Sequence, residues 1–340
     1  MGTDASYPCR QPRGKRGWRR RGVFHCSESR LLWLVWLPLF FTAHLIYTAL
    51  AVGLRGEHLF FYLLALFLCL WGEGTRRFLK VAFPVWVFGS FYDSLRLVPE
   101  SWKPEIHVAD LYLAEKRLFG FTSGGETRIP SEFFSTHTAA FLDFLCGLLY
   151  LTYLLAFFLF LLYLFFKNDG EAVRLGWSFC ILNIAGLVVF QLFPAAPPWY
   201  VAAYGLGPAD PATPPHPAGL LRFDALLGAP VSESIYKKSP EVFGAVPSLH
   251  VANPVLMYLY GRRLGPGWAW VCLLYAASVA FSAVYLNHHY VLDIAAASAL
   301  ATAVYLVCPW GIERLRRGGR ETAADLEPAL GEAFSARRAD

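Results

Sequence analysis

The amino-acid sequence predicts an all-α fold, a polytopic bundle of six to eight membrane-spanning helices with both termini on the cytoplasmic side. Three observations predict it. The chain is 56% apolar and only 16% charged, with a mean hydropathy of +0.41, whereas soluble domains carry about 25% charged residues. Its apolar residues gather into runs longer than a globular core needs, at about 31–52, 57–72, 76–92, 137–166, 173–193, 246–264, 268–287 and 290–309. Finally, the lysines and arginines between the runs alternate as the positive-inside rule requires.

Taken in order, the runs justify a count of eight. The second is short for a span and the fourth is long, so the count drops to seven or six if the second and third form a hairpin within the bilayer. With the N-terminus inside, the cytoplasmic turns hold Arg76 and Arg77, then Lys167 and Arg174, then Arg262 and Arg263, and the tail holds Arg314, Arg316, Arg317 and Arg320. An odd number of spans would break that agreement. The opposite face receives two long connections, 93–136 and 194–245, and a tight turn at 287–289.

The ends differ from the middle. Residues 1–30 contain eight Lys/Arg against Asp4 and Glu28, a net charge of +6 that leaves −1 for the remainder. Such a segment can bind nucleic acid, but ahead of a hydrophobic span it reads as a cytoplasmic flank held against anionic lipid. No nucleic-acid partner is expected. Run 31–52 is too long for a signal-peptide core and is expected to stay in the mature chain. This divides the chain into a basic segment (1–30), a membrane-embedded domain (31–310) and a polar, disordered cytoplasmic tail (311–340). The seven cysteines include no CxxC pair and lie mostly inside apolar runs, as small buried hydrophobes do.

Long connections on one face of a bundle tend to carry function. In loop 194–245, "PADPATPPHP" (208–217) reads as a low-complexity linker, while Trp199 and Tyr200 of "FPAAPPWY" (193–200) sit where interfacial aromatics belong. Chemistry is concentrated in two further stretches. In "GAVPSLHVANP" (244–254), Pro247 suits a first helical turn and Ser248 a cap. The helix start would then offer unpaired amides and a positive dipole end to an anion, with His250 about one turn inside. In "YLNHHYVLDIAAAS" (285–298), His289 and Asp293 are four apart, share a face on a helix, and can hydrogen-bond. A carboxylate behind a histidine fixes its tautomer and raises its nucleophilicity. Asp293 also lies inside an apolar run, where an ionisable side chain marks function by default. Topology brings both stretches to one membrane face. Two histidines, one backed by an aspartate, beside a helix start suit phosphoryl transfer, one attacking phosphorus and the other moving the proton. The spacing does not exclude a metal site, but no third or fourth ligand is evident, so neither metal nor cofactor is expected.

"PSLH", followed 43 residues after His250 by the Asp of "HHYVLD", resembles the second and third signatures of the type 2 phosphatidic acid phosphatase superfamily. "FPAAPPWY", "FGAVPSLHV" and "NHHYVLD" are similar to its fungal-type inositol phosphorylceramide synthase branch, and "FYDSLR" (91–96) and "HVADLYLAEKRLFG" (107–120) to bacterial members of that branch. The resemblance covers roughly residues 85–305, the expected catalytic core. It implies a metal-free active site at the extracytoplasmic face, with His289 as a nucleophile forming a phosphohistidine, Asp293 orienting it, and His250 as general acid/base. Two departures are informative. The phosphatases' Lys-x6-Arg-Pro signature is absent, and Ala283 stands where their third signature has arginine. A phosphomonoester is nearly a dianion and its sites are rich in Arg and Lys, whereas a phosphodiester carries one charge. The expected substrates are therefore a phospholipid donor with a phosphoinositol-type headgroup and a lipid alcohol such as ceramide. A phosphatase or phosphodiesterase using water and a non-enzymatic membrane protein are the rival readings. Ser248, Leu249, Arg96, His288 and Lys238 are the expected substrate and phosphate contacts, with Arg128, Arg222 and Lys237 as further sources of charge.

Overall fold

The computed structural model describes residues 31–98, 102, 104–237, 239 and 241–308. The basic segment 1–30, Lys238 and the tail 311–340 lie outside the described residues. Eight apolar runs become helices: α1 (Leu32–Val52), α2 (Gly56–Leu70), α3 (Glu73–Ser94), a broken pair α6 (Ala140–Leu151) and α7 (Tyr153–Lys167), α8 (Asp169–Leu192), α12 (Leu249–Gly261), α13 (Pro266–Tyr285) and α14 (Val291–Cys308). Length and composition qualify α1, α8, α13 and α14 to cross a bilayer, and α6–α7, bent by 51°, forms a fifth candidate. Helix α2 is apolar but has only 15 residues, and α12 has 13, each shorter than the roughly 20 residues of a straight span.

The long connections are folded. The first holds helix α4 (Ala109–Phe119), a hairpin of β1 (Phe121–Ser123) and β2 (Glu126–Arg128), and helix α5 (Pro130–Thr136). The second holds α9 (Pro198–Tyr204), α10 (Leu220–Leu227) and α11 (Val231–Tyr236). The stretch 208–217 is not a free linker. The His216 ring lies 5.3 Å from Trp199, and the Pro217 carbonyl accepts a hydrogen bond from His288. Prolines supply fixed backbone angles here and leave carbonyls free to accept.

Two apolar cores exist side by side. The larger joins α6, α7, α8, α10 and α12–α14 around Tyr150, Phe157, Phe179, Tyr260 and Tyr285. The smaller belongs to α1–α3 and centres on Trp33, Phe41, Leu68 and Leu79. Small residues set the closest approaches between helices. A side chain at Gly176 would meet the Val81 carbonyl, seating α3 on α8, and one at Gly186 would collide with Leu249 of α12. Below that point Asn183 and Asn253 exchange amide hydrogen bonds at 2.9 and 3.0 Å, fully buried, which locks α8 to α12. At the far end of the bundle Arg77 meets Asp169 at 2.7 Å, while Arg174 and Arg263 meet Glu171 at 2.7 and 2.9 Å. The basic turns thus collect at the end of α12 opposite His250. The cysteines at 69, 146, 180, 272 and 308 are buried and free, as read.

Candidate active site

The helix start at Leu249 differs in detail from the expectation. Pro247 lies outside the first turn, and Ser248 is the cap residue, yet its side chain makes no capping hydrogen bond. Among the described residues, its buried hydroxyl has no hydrogen-bond partner. Its backbone does the joining instead: the amide donates to the Asp293 carbonyl at 3.3 Å, and the carbonyl accepts from Val251 and Ala252. The two signature stretches are therefore linked through main chain. Leu249 fills the notch at Gly186 with its side chain, leaving its amide, with that of His250, in the unpaired first turn.

The second stretch is also more specific than a shared helical face. Helix α14 begins at Val291, so His289 sits in the preceding turn. Asp293, in the first turn, reaches back and accepts from the Tyr290 amide at 2.8 Å, one half of a capping box. The same oxygen, Oδ2, lies 3.3 Å from His289 Nδ1, and the Ala245 carbonyl lies 3.0 Å from that nitrogen. A carbonyl only accepts, so Nδ1 carries the proton, and Nε2 of the neutral ring holds the lone pair. Asp293 is fully buried and His289 nearly so.

Glu115, from α4, completes the helix start. It accepts from the Val291 and Leu292 amides at 2.9 and 3.0 Å across some 176 residues of chain, and it is 1% exposed. Burial pushes its carboxyl above the usual range, with the nearby Asp293 charge adding to the effect. Sequence reasoning missed Glu115, because nothing local marks a long-range cap.

The His250 and His289 rings face each other with centroids 5.9 Å apart. His250 stacks on Tyr150 at 4.2 Å and 10° and meets Tyr153 at 4.4 Å. Both histidines line a cavity of about 1730 Å³ whose opposite wall is built by α1–α3. That wall is mostly apolar; besides His44, Thr48 and Ser90 it carries a charged cluster, in which Asp93 takes Arg55, His58 (3.1 Å) and Arg96 (3.4 Å). Arg96 thus lines the cavity but has Asp93 as its partner. Arg222 is committed to Asp143 at 2.6 Å, with Tyr285 donating to the same oxygen at 2.9 Å. Arg128 pairs with Glu126 and Lys237 with Glu233. His288 is not placed as a cationic phosphate ligand. Burial lowers its pKa to about 3, and its Nε2–H donates to the Pro217 carbonyl at 3.1 Å. Asp143 carried a readable signal, a carboxylate inside an apolar run. Among the described residues no group of three or more His, Cys, Asp or Glu is placed to hold a metal ion.

The PAP2 superfamily profile matches residues 124–307, which takes in α5–α14 and all three central residues. The chain belongs to the PAP2 superfamily. Within it, the phosphoinositol dihydroceramide synthase of Bacteroides thetaiotaomicron is 36% identical over 275 residues, 80% of this chain and 90% of that protein. The inositol phosphorylceramide synthase of Candida albicans is 33% identical over 68% of this chain and 48% of its own length. The catalytic subunit from Schizosaccharomyces pombe is 30% identical over 68% and 54%. This PAP2 chain therefore spans about half the length of those fungal relatives. It falls in the inositol phosphorylceramide synthase-like branch, whose members are transferases, and its apolar helices make it a multi-pass membrane protein. No solved structure matches it.

Proposed function

We propose that this protein moves a phosphoinositol-type headgroup from a phospholipid to a lipid alcohol, ceramide or a close relative, through a phosphohistidine on His289. The observation that carries the reading is the double hold on His289 Nδ1 by Ala245 and Asp293, which leaves Nε2 as the nucleophilic atom beside His250. In the first half-reaction Nε2 attacks phosphorus, the bond to the glyceride oxygen breaks, and that oxygen leaves with a proton from His250 as diacylglycerol. The Asp293 carboxylate balances the positive charge that develops on the attacking ring. In the second, His250 takes the proton of the acceptor hydroxyl, whose oxygen attacks phosphorus as the P–N bond breaks. Both histidines then return to their starting states. The amides of Leu249 and His250, at the start of α12, are positioned to hold non-bridging phosphate oxygens.

In this reading the apolar helices form six to eight membrane spans with both termini cytoplasmic, and the histidines face the extracytoplasmic side. The basic turns clustered at the opposite end of α12 support it. The cavity's apolar wall suits lipid chains entering from the outer leaflet. The test is incubation of purified protein with headgroup-labelled phosphatidylinositol, with and without ceramide. Labelled phosphoinositol ceramide formed only with ceramide supports the transferase. Free inositol phosphate at the same rate in both arms makes water the acceptor and overturns it.

A further inference from the structure

His289 and His250 are held in different ways. His289 has two hydrogen-bond acceptors on one nitrogen. Among the described residues, the His250 ring makes no hydrogen bond to protein. An imidazole turns about a broad, roughly two-fold torsion, so without a partner its nitrogens have no defined aim. What the ring does have is a column. Tyr236 of α11 stacks on His288 at 5.1 Å and 26°, His288 on Tyr150 at 5.0 Å and 10°, and Tyr150 on His250 at 4.2 Å and 10°. Tyr153 closes the other flank. Tyr150 is 1% exposed, and His288 is pinned at the Pro217 carbonyl, so the column is anchored at its middle.

We propose that Tyr150 is a positioning residue that aims the His250 ring at the leaving and entering oxygens, and that His288 is a spacer backing Tyr150. The inference rests on the proposed acid/base role of His250. It assigns to the ring column what Ala245 and Asp293 do for His289, and it ties the outer helix α11 to the proton-transfer step. It also accounts for a histidine beside the nucleophile that stays neutral. A stacked ring is worth about as much as a weak hydrogen bond, but it restricts rotation without consuming a nitrogen that must both give and take a proton.

The test separates proton transfer from everything else by changing the leaving group. Phosphatidylinositol loses an alkoxide and needs an acid, whereas the p-nitrophenyl ester of inositol phosphate loses p-nitrophenolate unaided. In the full-length protein, Tyr150→Leu is expected to lower transfer from phosphatidylinositol by about 100-fold, the lower end of general-acid contributions. The p-nitrophenolate burst that reports phosphohistidine formation should change by less than about threefold, since no acid is needed there. Tyr150→Phe should restore most of the loss, and His288→Phe should outperform His288→Ala, because each keeps a ring in the column. Equal losses with both donors would mean that Tyr150 only supports the fold and overturn the proposal, as would full transfer in Tyr150→Leu. A His288→Phe variant as poor as His288→Ala would remove the spacer role. If the unmodified protein transfers headgroup but carries no acid-labile, base-stable label after a rapid quench with headgroup-labelled donor in the absence of acceptor, the phosphohistidine reading itself fails, independently of Tyr150.

Discussion

The two walls of the cavity are built on different principles. The wall that carries the histidines is backed by buried polar pairs from several elements: Asp293 with the Tyr290 amide and His289, Glu115 of α4 with two amides of α14, Asn183 of α8 with Asn253 of α12. The wall of α1–α3 has its own small core, turns large apolar side chains outward, such as Leu50 at 83% exposure, and carries one partly exposed cluster around Asp93. It also lies outside the residues the superfamily shares. Chemistry needs atoms fixed to within about half an ångström, and low-dielectric networks supply that. A wall that meets lipid chains needs shape and apolarity only. Changes in the first wall should therefore alter the chemical step, and changes in the second should alter substrate binding.

The largest effect is expected at His289. His289→Ala should abolish headgroup transfer and leave no acid-labile, base-stable label on the protein after a rapid quench with labelled donor. Residual transfer above about a thousandth of the normal rate would break the comparison at its centre. Asp293→Asn should cost less, about 100-fold in kcat, because the Ala245 carbonyl still selects the Nδ1–H tautomer while the balancing charge is lost. An Asp293→Asn variant as inactive as His289→Ala would show that Ala245 contributes nothing to that choice. Next comes Glu115→Ala, which strips the acceptor from two buried amides at the start of α14. Thermal unfolding in detergent should show a loss of about 1–2 kcal/mol. Glu115→Gln, which keeps one acceptor, should lose less.

His288 gives the comparison a pH axis. Its folded pKa is lowered to about 3 by burial, while an unfolded histidine titrates near 6.5. Between those values the unfolded state binds the extra proton, so stability is complete above about pH 6.5 and falls as pH drops, by about 1.4 kcal/mol per unit. His288→Phe should flatten that slope. Glu115, with its carboxyl raised, works in the opposite direction over the range above about 4.3. The slope in Glu115→Gln should therefore be steeper than normal there.

How much of this was legible follows from how local each feature is. The eight apolar runs became helices because hydrophobicity is written residue by residue, and their basic turns met at one end as the charge pattern implied. His289 and Asp293 came together because four residues bring them close in either a helix or a helix start. Local spacing did not distinguish the two, so the capping role of Asp293 was missed. Residue type marks Ser248 as a side-chain cap, yet its hydroxyl makes no capping hydrogen bond in the folded chain. Glu115, the Ala245 carbonyl and the Tyr150 column depend on segments 44 to 177 residues apart. The arginines expected at phosphate could be located but not assigned, because pairing with Asp93, Asp143 and Glu126 is a matter of tertiary structure.

The smallest expected effect tests the second wall. Asp93→Ala removes the shared partner of Arg55, His58 and Arg96, side chains from the start of α2 and the end of α3 that meet at the cavity. Partly exposed pairs of this kind are worth about 0.2–1 kcal/mol each. If the cluster shapes the entrance used by lipid, that cost appears as a rise in KM of about twofold to fivefold, by the same energy scale. The kcat and the phosphohistidine burst should not move, since Arg55, His58 and Arg96 each meet Asp93. A fall in kcat instead would mean that Arg96 or Arg55 reaches the phosphate during reaction. The two walls would then share the chemistry, and the division drawn between them would have to be abandoned.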